Sequence, residues 1–467
     1  MALPLNIAVI GSGISGLSCA WQLSKNHRVT LYEKDDYFGG HSNSIQVNQG
    51  ALSVSVDTGF MVFNPASYPN LVALFEHLSV PVVKTEMSFS VSLDQGRVEY
   101  AGTDLNGLFG QRSNLLSPGF WAMLKDVLRF YKESAHLVET LDNQVTLGQM
   151  LEQQGYGRRF RDDHLVPMGS AIWSTPAQKM LDYPAKTFLR FCQNHGLLQL
   201  KDRPQWYTVQ GGSRVYVEKL VSRLGEQARS NSAARSVRRQ SLGGRTQVIV
   251  TDWQGHEQSF DHVVMACHAD QTLKLLRDAD VQENALLSPF KFERNRVLLH
   301  SDSRLMPKRK RVWASWNYLR ENPDSQSLAV TYWMNRLQQL PDSLPLFVTL
   351  NPFQEPERDK VHAAFLYDHP LFDLQALAAQ KKLWSLQGNR NTWFCGAWFG
   401  YGFHEDGLQS GLAVAEALGG EQRPWQVEGM YDRIHLPDGW DRSPSSGVPA
   451  KGWSPDLRPV SNPRVKY

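Results

Sequence analysis

The chain has 467 residues, too many for one compact core, so two intertwined domains are expected. Apolar residues make up 42% and charged residues 20%, which excludes a disordered chain and leaves enough for large cores. A net charge of +3, with many charges of both signs, gives no reason to expect nucleic acid as a partner.

In chain order, the N-terminal run enters a strand almost at once, at residues 6–10 (NIAVI). It has no charged leader region and no small-residue cleavage site, so a cytoplasmic location is expected, with contact to the inner membrane surface as an extension of it. Leu17 to Leu23 carry apolar residues at helical spacing, and residues 28–33 (RVTLYE) read as a second strand, which makes a βαβ opening. Residues 116–165 read mostly helical, with a polar, Gly-containing break at 153–158. Two short strands, TQVIVTDW and FDHVVMA, follow within 245–266, with a turn at Gln254-Gly255. Strand-like runs across 296–351 predict a mixed sheet. Residues 393–418 return to an α/β pattern that stops at Gly419-Gly420. From 421 onward, Pro, Gly, Ser and Arg without periodicity read as an irregular tail. No run of about 18 apolar residues is present to span a bilayer. Cys19, Cys192, Cys267 and Cys395 are far apart, which fits neither a zinc site nor a disulfide framework and suits a reducing compartment.

Gly11-Ser12-Gly13-Ile14-Ser15-Gly16 matches G-x-G-x-x-G in the required place, after a strand and at the opening of a helix. Gly11 permits the turn, Gly13 lets backbone approach a pyrophosphate, and Gly16 allows close helix–strand packing, with Ile14 and Ser15 in the first helical turn. The helix start offers free N–H groups and partial positive charge to an anion. Glu33, at the end of the second strand, is placed to accept from ribose hydroxyls, with Lys34 beside it. There is one convincing fingerprint, hence one expected dinucleotide.

Beyond it, Gly39-Gly40-His41, then Asp57-Thr58-Gly59-Phe60, and at the other end Phe394-Cys395-Gly396-Ala397 with Asp406-Gly407-Leu408-Gln409-Ser410-Gly411, resemble the corresponding segments of the flavin amine oxidase and phytoene desaturase superfamily. The resemblance implies FAD, with Gly39, Gly40, His41, Thr58 and Gly59 near the pyrophosphate and ribityl chain. It places Gly396 beside the ribityl chain and Asp406, Gly407, Leu408 and Ser410 at a helix start facing the flavin ring. Gln210-Gly211-Gly212-Ser213 resembles the turn before a helix, Ala266 the pyrophosphate side of a returning strand, and Val237 a backbone contact to adenine. The implied fold is α/β, with a Rossmann-like FAD-binding domain on a parallel sheet plus a mixed-sheet and helical substrate domain. The FAD domain takes residues 1–75, 206–290 and 386–420. The substrate domain takes 76–205, largely helical, and 291–385, with a mixed sheet; 421–467 form the tail. The stretches GFMVFNPASYPNL, AIWST and GYGFHEDGLQSGL also resemble a bacterial NAD/FAD-binding, amine-oxidase-like subfamily associated with fatty-acid modification.

Three departures stand out. His41 replaces the usual Arg, which exchanges a permanent charge for a titratable one. Ala397 replaces the usual Glu. Arg296-Val297-Leu298-Leu299-His300 lacks the Lys that often holds a water near flavin N5. The loop 398–406 must run close to the ring, so His404 is the first candidate acid or base and Glu405 the second, with Tyr401 and Trp398 walling the substrate. Asp406 doubles as a helix cap. Asn64, Tyr68 and Trp173 are further pocket candidates, and His300 reads as structural. Lys308-Arg309-Lys310-Arg311 reads as a solvated loop or as a contact for anionic lipid headgroups. The expected reaction is dehydrogenation of a small apolar substrate, a fatty acyl chain in particular, with phospholipid acyl chains as its source. Amine oxidation, double-bond isomerisation and a non-catalytic flavin-binding partner of a lipid-modifying enzyme stay open.

Overall fold

In the computed structural model, residues 3–199, 203–242, 245–322 and 329–440 are described. Five parallel strands form the nucleotide-side sheet, in the order Thr392–Phe394, His262–Met265, Asn6–Ile10, Arg28–Tyr32 and Ala228–Arg229. Four of the five residues of Asn6–Ile10 are buried, as a central strand covered on both faces requires. The helix Ile14–Leu23 is buried throughout. On its outer side lies the helix His404–Ala417, crossing so closely that a Cβ on Gly411 would stand 2.2 Å from the Ser15 carbonyl oxygen. That helix ends before Gly419, whose φ of +95° closes the last turn.

The second sheet has seven strands, ordered Val361–Leu371, Lys291–His300, Phe347–Leu350, Ala329–Trp333, Trp316–Arg320, Phe89–Leu93 and Val98–Ala101. Residues 76–205 therefore supply two of its strands besides the helices Pro118–Thr140, Leu147–Gln153 and Ala185–Asn194. The stretch FDHVVMA divides at Asp261. Glu257–Phe260 pairs within a three-stranded antiparallel sheet, whereas His262–Met265 joins the parallel sheet. The switch is held by the Asn6 amide, which donates to Asp261 Oδ2 at 2.7 Å.

Residues 421–440 contain no helix or strand, yet they are packed. Arg423 pairs with Glu416, Trp425 stacks on Trp21 at 6.3 Å and Arg433 donates to the Ser67 carbonyl. The rest of the expected tail, 441–467, lies outside the described residues. Among the described residues no helix is long and apolar enough to cross a membrane.

Candidate active site

Two glycine turns lie one on the other at the end of the first strand. Gly11 takes φ +106°, and a Cβ there would meet the Ala266 carbonyl oxygen at 2.9 Å. A Cβ on Gly16 would stand 1.9 Å from the Gly11 oxygen, so this helix can pack here only without a side chain. Gly40 lies against Gly13, its Cβ position 3.3 Å from the Gly13 Cα, and the Gly39 amide donates to the Ser12 carbonyl at 3.1 Å. Around Gly13 the situation reverses: a Cβ would meet nothing within 4 Å. Gly13 caps the helix without a side-chain hydrogen bond, and the first turn holds no acid. Free N–H groups thus face open space at a positive helix end, which fits a dinucleotide diphosphate.

Glu33 is tied to this turn. Its Oε2 accepts from the Ser12 amide at 2.9 Å and from Ser12 Oγ at 2.6 Å, and its Oε1 accepts from the Asp35 amide. It holds the turn rigid and keeps lone pairs for ribose hydroxyls. Lys34 lies in solvent, 3.9 Å from Asp35. Thr58 Oγ1 is 2.7 Å from the Tyr367 hydroxyl, and a Cβ on Gly59 would stand 2.2 Å from the His41 oxygen. Asp57, one residue earlier, accepts from the amide and hydroxyl of Ser213, so the Gly211-Gly212 turn is fastened to this segment. Burial pushes Asp57 up to about 6, against those hydrogen bonds.

Val237 corrects the expected adenine contact. Its backbone forms a parallel bridge with Leu276, and its carbonyl accepts from the Arg277 amide at 3.0 Å. Ile14, Ser15, Gly407 and Leu408 sit where the two helices cross. A Cβ on Gly407 would meet Ile14 Cγ2 at 2.9 Å, and Leu408 is fully buried. Ser410 Oγ accepts from the Gly396 amide at 3.0 Å, which pins the end of the last strand to this helix. Together they bring two helix N-termini side by side at one groove.

Sequence reasoning missed two imidazoles beside His41. The His41 ring lies 4.8 Å from Tyr367 and 5.3 Å from His369, and its Nε2 is buried without a partner. His369 Nδ1 accepts from Asn295 Nδ2 at 2.9 Å. His268, two residues past Ala266, stacks on Phe292 at 4.1 Å with an unpartnered Nδ1. Burial, then His369, His268 and His404, holds His41 well below its usual range. Burial and His268 hold His369 at about 4. Burial also lowers His268, with Asp270 and Asp368 opposing and Lys34 adding to the fall. Arg294 in turn pairs with Asp368 at 2.9 Å.

Burial disfavours the charged form of each of these imidazoles, and a diphosphate seated at Gly13 and Gly40 would raise His41, the residue next to Gly40. Cofactor uptake is then accompanied by proton uptake at any pH between the lower empty-state and the higher loaded-state values. The FAD dissociation constant is expected to fall as pH drops from 8 to 6, by up to about tenfold per unit for each proton taken up. His41→Arg, with a fixed charge, should flatten that slope. A dissociation constant independent of pH in the unsubstituted protein would contradict this.

The catalytic candidates part ways. His404 Nε2 lies 2.9 Å from Ser42 Oγ and 2.7 Å from the Tyr216 hydroxyl, and its ring stacks on Phe60 at 3.8 Å. Burial holds it at about 3, so the ring is unprotonated at neutral pH and a weak base, with its Nε2 already engaged by Ser42 and Tyr216. Glu405 is corrected to a structural role. Oε1 accepts from the Asn70 amide at 3.0 Å and Oε2 from the Leu71 amide at 3.0 Å, at the start of the helix Pro69–His77. Asp406 Oδ2 caps its own helix through the Phe403 amide at 2.7 Å, while Oδ1 has no hydrogen-bond partner and stands 3.9 Å from Arg433. Burial pushes Asp406 up to about 7, against Arg433.

Tyr401 belongs to an aromatic wall. Its carbonyl accepts from Trp173 Nε1 at 3.3 Å, and Trp173 lies 4.7 Å from Tyr183 and 4.6 Å from Phe191. Phe191 stacks on His195 at 3.9 Å and on Phe403 at 4.7 Å, and Tyr68 meets His195 edge-on. Asn64 Oδ1 accepts from the Ser67 amide, as in a turn, leaving a buried Nδ2 without a partner. Trp398 is core instead of wall: it is buried against Phe290 and donates to the Cys267 carbonyl at 3.2 Å. His300, bonded to Thr349 at 2.7 Å, is structural.

A glycine turn open at a helix N-terminus, on a parallel sheet assembled from discontinuous segments, is the frame of a dinucleotide-binding protein, and the family match makes this one an FAD-dependent oxidoreductase. Residues 14–303 match the sequence model of the flavin containing amine oxidoreductase family, and the chain belongs to that family. No curated protein matches it. A solved structure of a fatty acid isomerase from P. acnes, producing CLA, superposes with a TM-score of 0.62 at 15% identity, over 90% of this chain and 99% of that one. A putrescine oxidase variant gives 0.65 at 13% identity over 89% and 99%, and a putative protoporphyrinogen oxidase from Exiguobacterium sp. 255-15 gives 0.61 at 15% over 88% and 98%. At these identities the likenesses speak to the fold.

Proposed function

We propose that this protein dehydrogenates an apolar substrate, a fatty acyl chain, with FAD as the electron acceptor. FAD supplies a two-electron acceptor that takes a hydride from carbon. Gly11, Gly13, Gly39, Gly40 and His41 would hold its diphosphate side. The observation that supports the substrate class is the aromatic cluster itself, Trp173, Phe191, Phe403 and Tyr401, which carries the Arg433 guanidinium 5.3 Å over the Tyr401 ring but receives no cation from the strand Lys291–His300. Arg296 on that strand pairs with Glu355 at the surface, and Lys291 is exposed. An apolar wall orients a chain by contact and excludes water.

With His404 neutral and Glu405 capping a helix, Asp406 is the group at this helix end whose proton exchanges near pH 7. Its Oδ2 accepts from the amide of Phe403, whose ring belongs to the aromatic cluster. Dehydrogenation needs a proton acceptor beside the hydride acceptor, and a carboxylate near neutrality suits that step. Asp406→Asn keeps the helix cap. It is expected to remove the rise in flavin reduction rate as pH passes about 7, and an unchanged pH profile would overturn this assignment. The substrate class is tested by the product: acyl chains with one added double bond, formed with acceptor consumption. The likeness to a fatty acid isomerase favours isomerisation as the second reading, which moves the double bond without consuming acceptor.

A further inference from the structure

We propose that the face formed by residues 105–128 and 308–311 is a docking surface for an anionic lipid bilayer. Among the described residues, five of the ten exposed large apolar side chains lie between positions 105 and 128. They are Leu105 (75% exposed), Leu115 (45%), Leu116 (88%), Trp121 (50%) and Leu128 (54%). Single exposed leucines are ordinary, but a cluster of this kind on one short stretch is not.

The cluster has a defined geometry. Trp121 Nε1 donates to the Leu115 carbonyl at 3.0 Å, and its ring lies 5.4 Å from Phe109, one turn beyond Leu105. Leu115, Leu116 and Trp121 therefore form one patch at the start of the helix Pro118–Thr140. Along that helix the outward stripe reads Trp121, Lys125, Leu128, Lys132, which alternates apolar and cationic residues; the first exposed acid further along is Glu139, in the last turn. Asp126 and Glu133, off the stripe, are engaged with the Gly157 amide and the Tyr156 hydroxyl.

The basic run lies alongside. A Cβ on Gly110 would meet Val312 Cγ1 at 2.5 Å and Arg311 Cβ at 3.5 Å, so the loop bearing the leucines rests on the end of that run. Arg309 is an anchor, held by the buried Glu99 at 2.8 Å, while Lys308, Lys310 and Arg311 are exposed. Leucine and tryptophan beside exposed lysine and arginine is the pattern of an element lying in the headgroup region: the apolar tips enter the acyl boundary and the cations meet lipid phosphates. The inner side of the same helix packs on the helix Ala185–Asn194, which carries Phe191 of the aromatic wall, so the face and the wall share one helical layer. This inference deepens the proposed function and rests on it for the identity of the substrate, but bilayer binding itself needs no turnover.

The test is co-sedimentation of the full chain with vesicles of phosphatidylcholine alone and of equimolar phosphatidylcholine and phosphatidylglycerol. The expected result is pelleting with the anionic vesicles, weakened by added salt. The Leu105→Asp/Leu116→Asp double variant should bind at least about tenfold more weakly, and so should Lys310→Glu/Arg311→Glu, each with unchanged melting temperature, because all four side chains are exposed. Failure to bind anionic vesicles, binding untouched by both double variants, or a dimer in solution that Leu116→Asp dissolves would each overturn the proposal. Vesicle binding without flavin reduction by lipid would leave the docking face standing and overturn the acyl-chain reading instead.

Discussion

Gly13→Asp is expected to yield a folded protein without flavin. Space around Gly13 is open, with no atom within 4 Å of a Cβ, so the new side chain meets nothing in the empty groove. Its carboxylate would occupy the diphosphate seat and put negative charge against negative charge at a helix N-terminus. The absorbance of bound flavin should vanish while the melting temperature of the flavin-free protein stays close to that of the flavin-free parent. Gly16→Val provides the contrast. Its Cβ would fall 1.9 Å from the Gly11 oxygen, so this variant is expected to lose the fold. A yellow Gly13→Asp protein would show that the groove does not hold the diphosphate there.

Arg423→Ala carries the second large effect, on stability. Arg423 and Glu416 are both buried; Nε donates to Oε1 at 2.8 Å and an Nη donates to Oε2 at 2.9 Å. Tyr431 donates to the same carboxylate at 2.8 Å, and the other Nη donates to Asn70 Oδ1 at 2.8 Å. Asn70 in turn donates to Glu405. One polar network thus ties the C-terminal segment, the flavin-side helix and the helix Pro69–His77 together. Removing the guanidinium leaves a buried carboxylate unpaired, which costs about 3–5 kcal/mol. The melting temperature should fall by several degrees, and Arg423→Met with Glu416→Leu should recover much of the loss. A melting temperature unchanged in Arg423→Ala would show that residues 421–440 add little to the fold.

What the sequence displays directly is what repeats or turns locally. Gly11 to Gly16 after a buried strand, the apolar spacing of Leu17 to Leu23 and the stop at Gly419 are local features, and they located the nucleotide sheet, the start of the first helix and the end of the last, whose start at His404 falls inside the stretch read as a loop. Contacts between distant segments leave no such pattern. His268, at the N-cap of the helix after the strand His262–Met265, and His369, on the strand Val361–Leu371, read as ordinary residues until the parallel sheet and the seven-stranded sheet bring them to His41. Glu405 stands in a loop-like stretch that invites a chemical reading, yet its partners at Asn70 and Leu71 make it a cap. Residues 421–440 lack periodicity, which correctly predicts no helix or strand but hides the side-chain packing of Arg423, Trp425 and Arg433. The split at Asp261 was hidden for a similar reason, because a strand run continuous in sequence feeds two sheets.

The central claim, that an apolar acyl chain reduces an FAD held in this groove, is tested most directly by anaerobic titration of the flavin-loaded protein. Total lipid extract is added in one cuvette and a panel of primary and secondary amines in another, while the flavin absorbance is followed. Bleaching by lipid and not by amines is the predicted result. Bleaching by an amine alone would contradict the account and make the protein an amine oxidase.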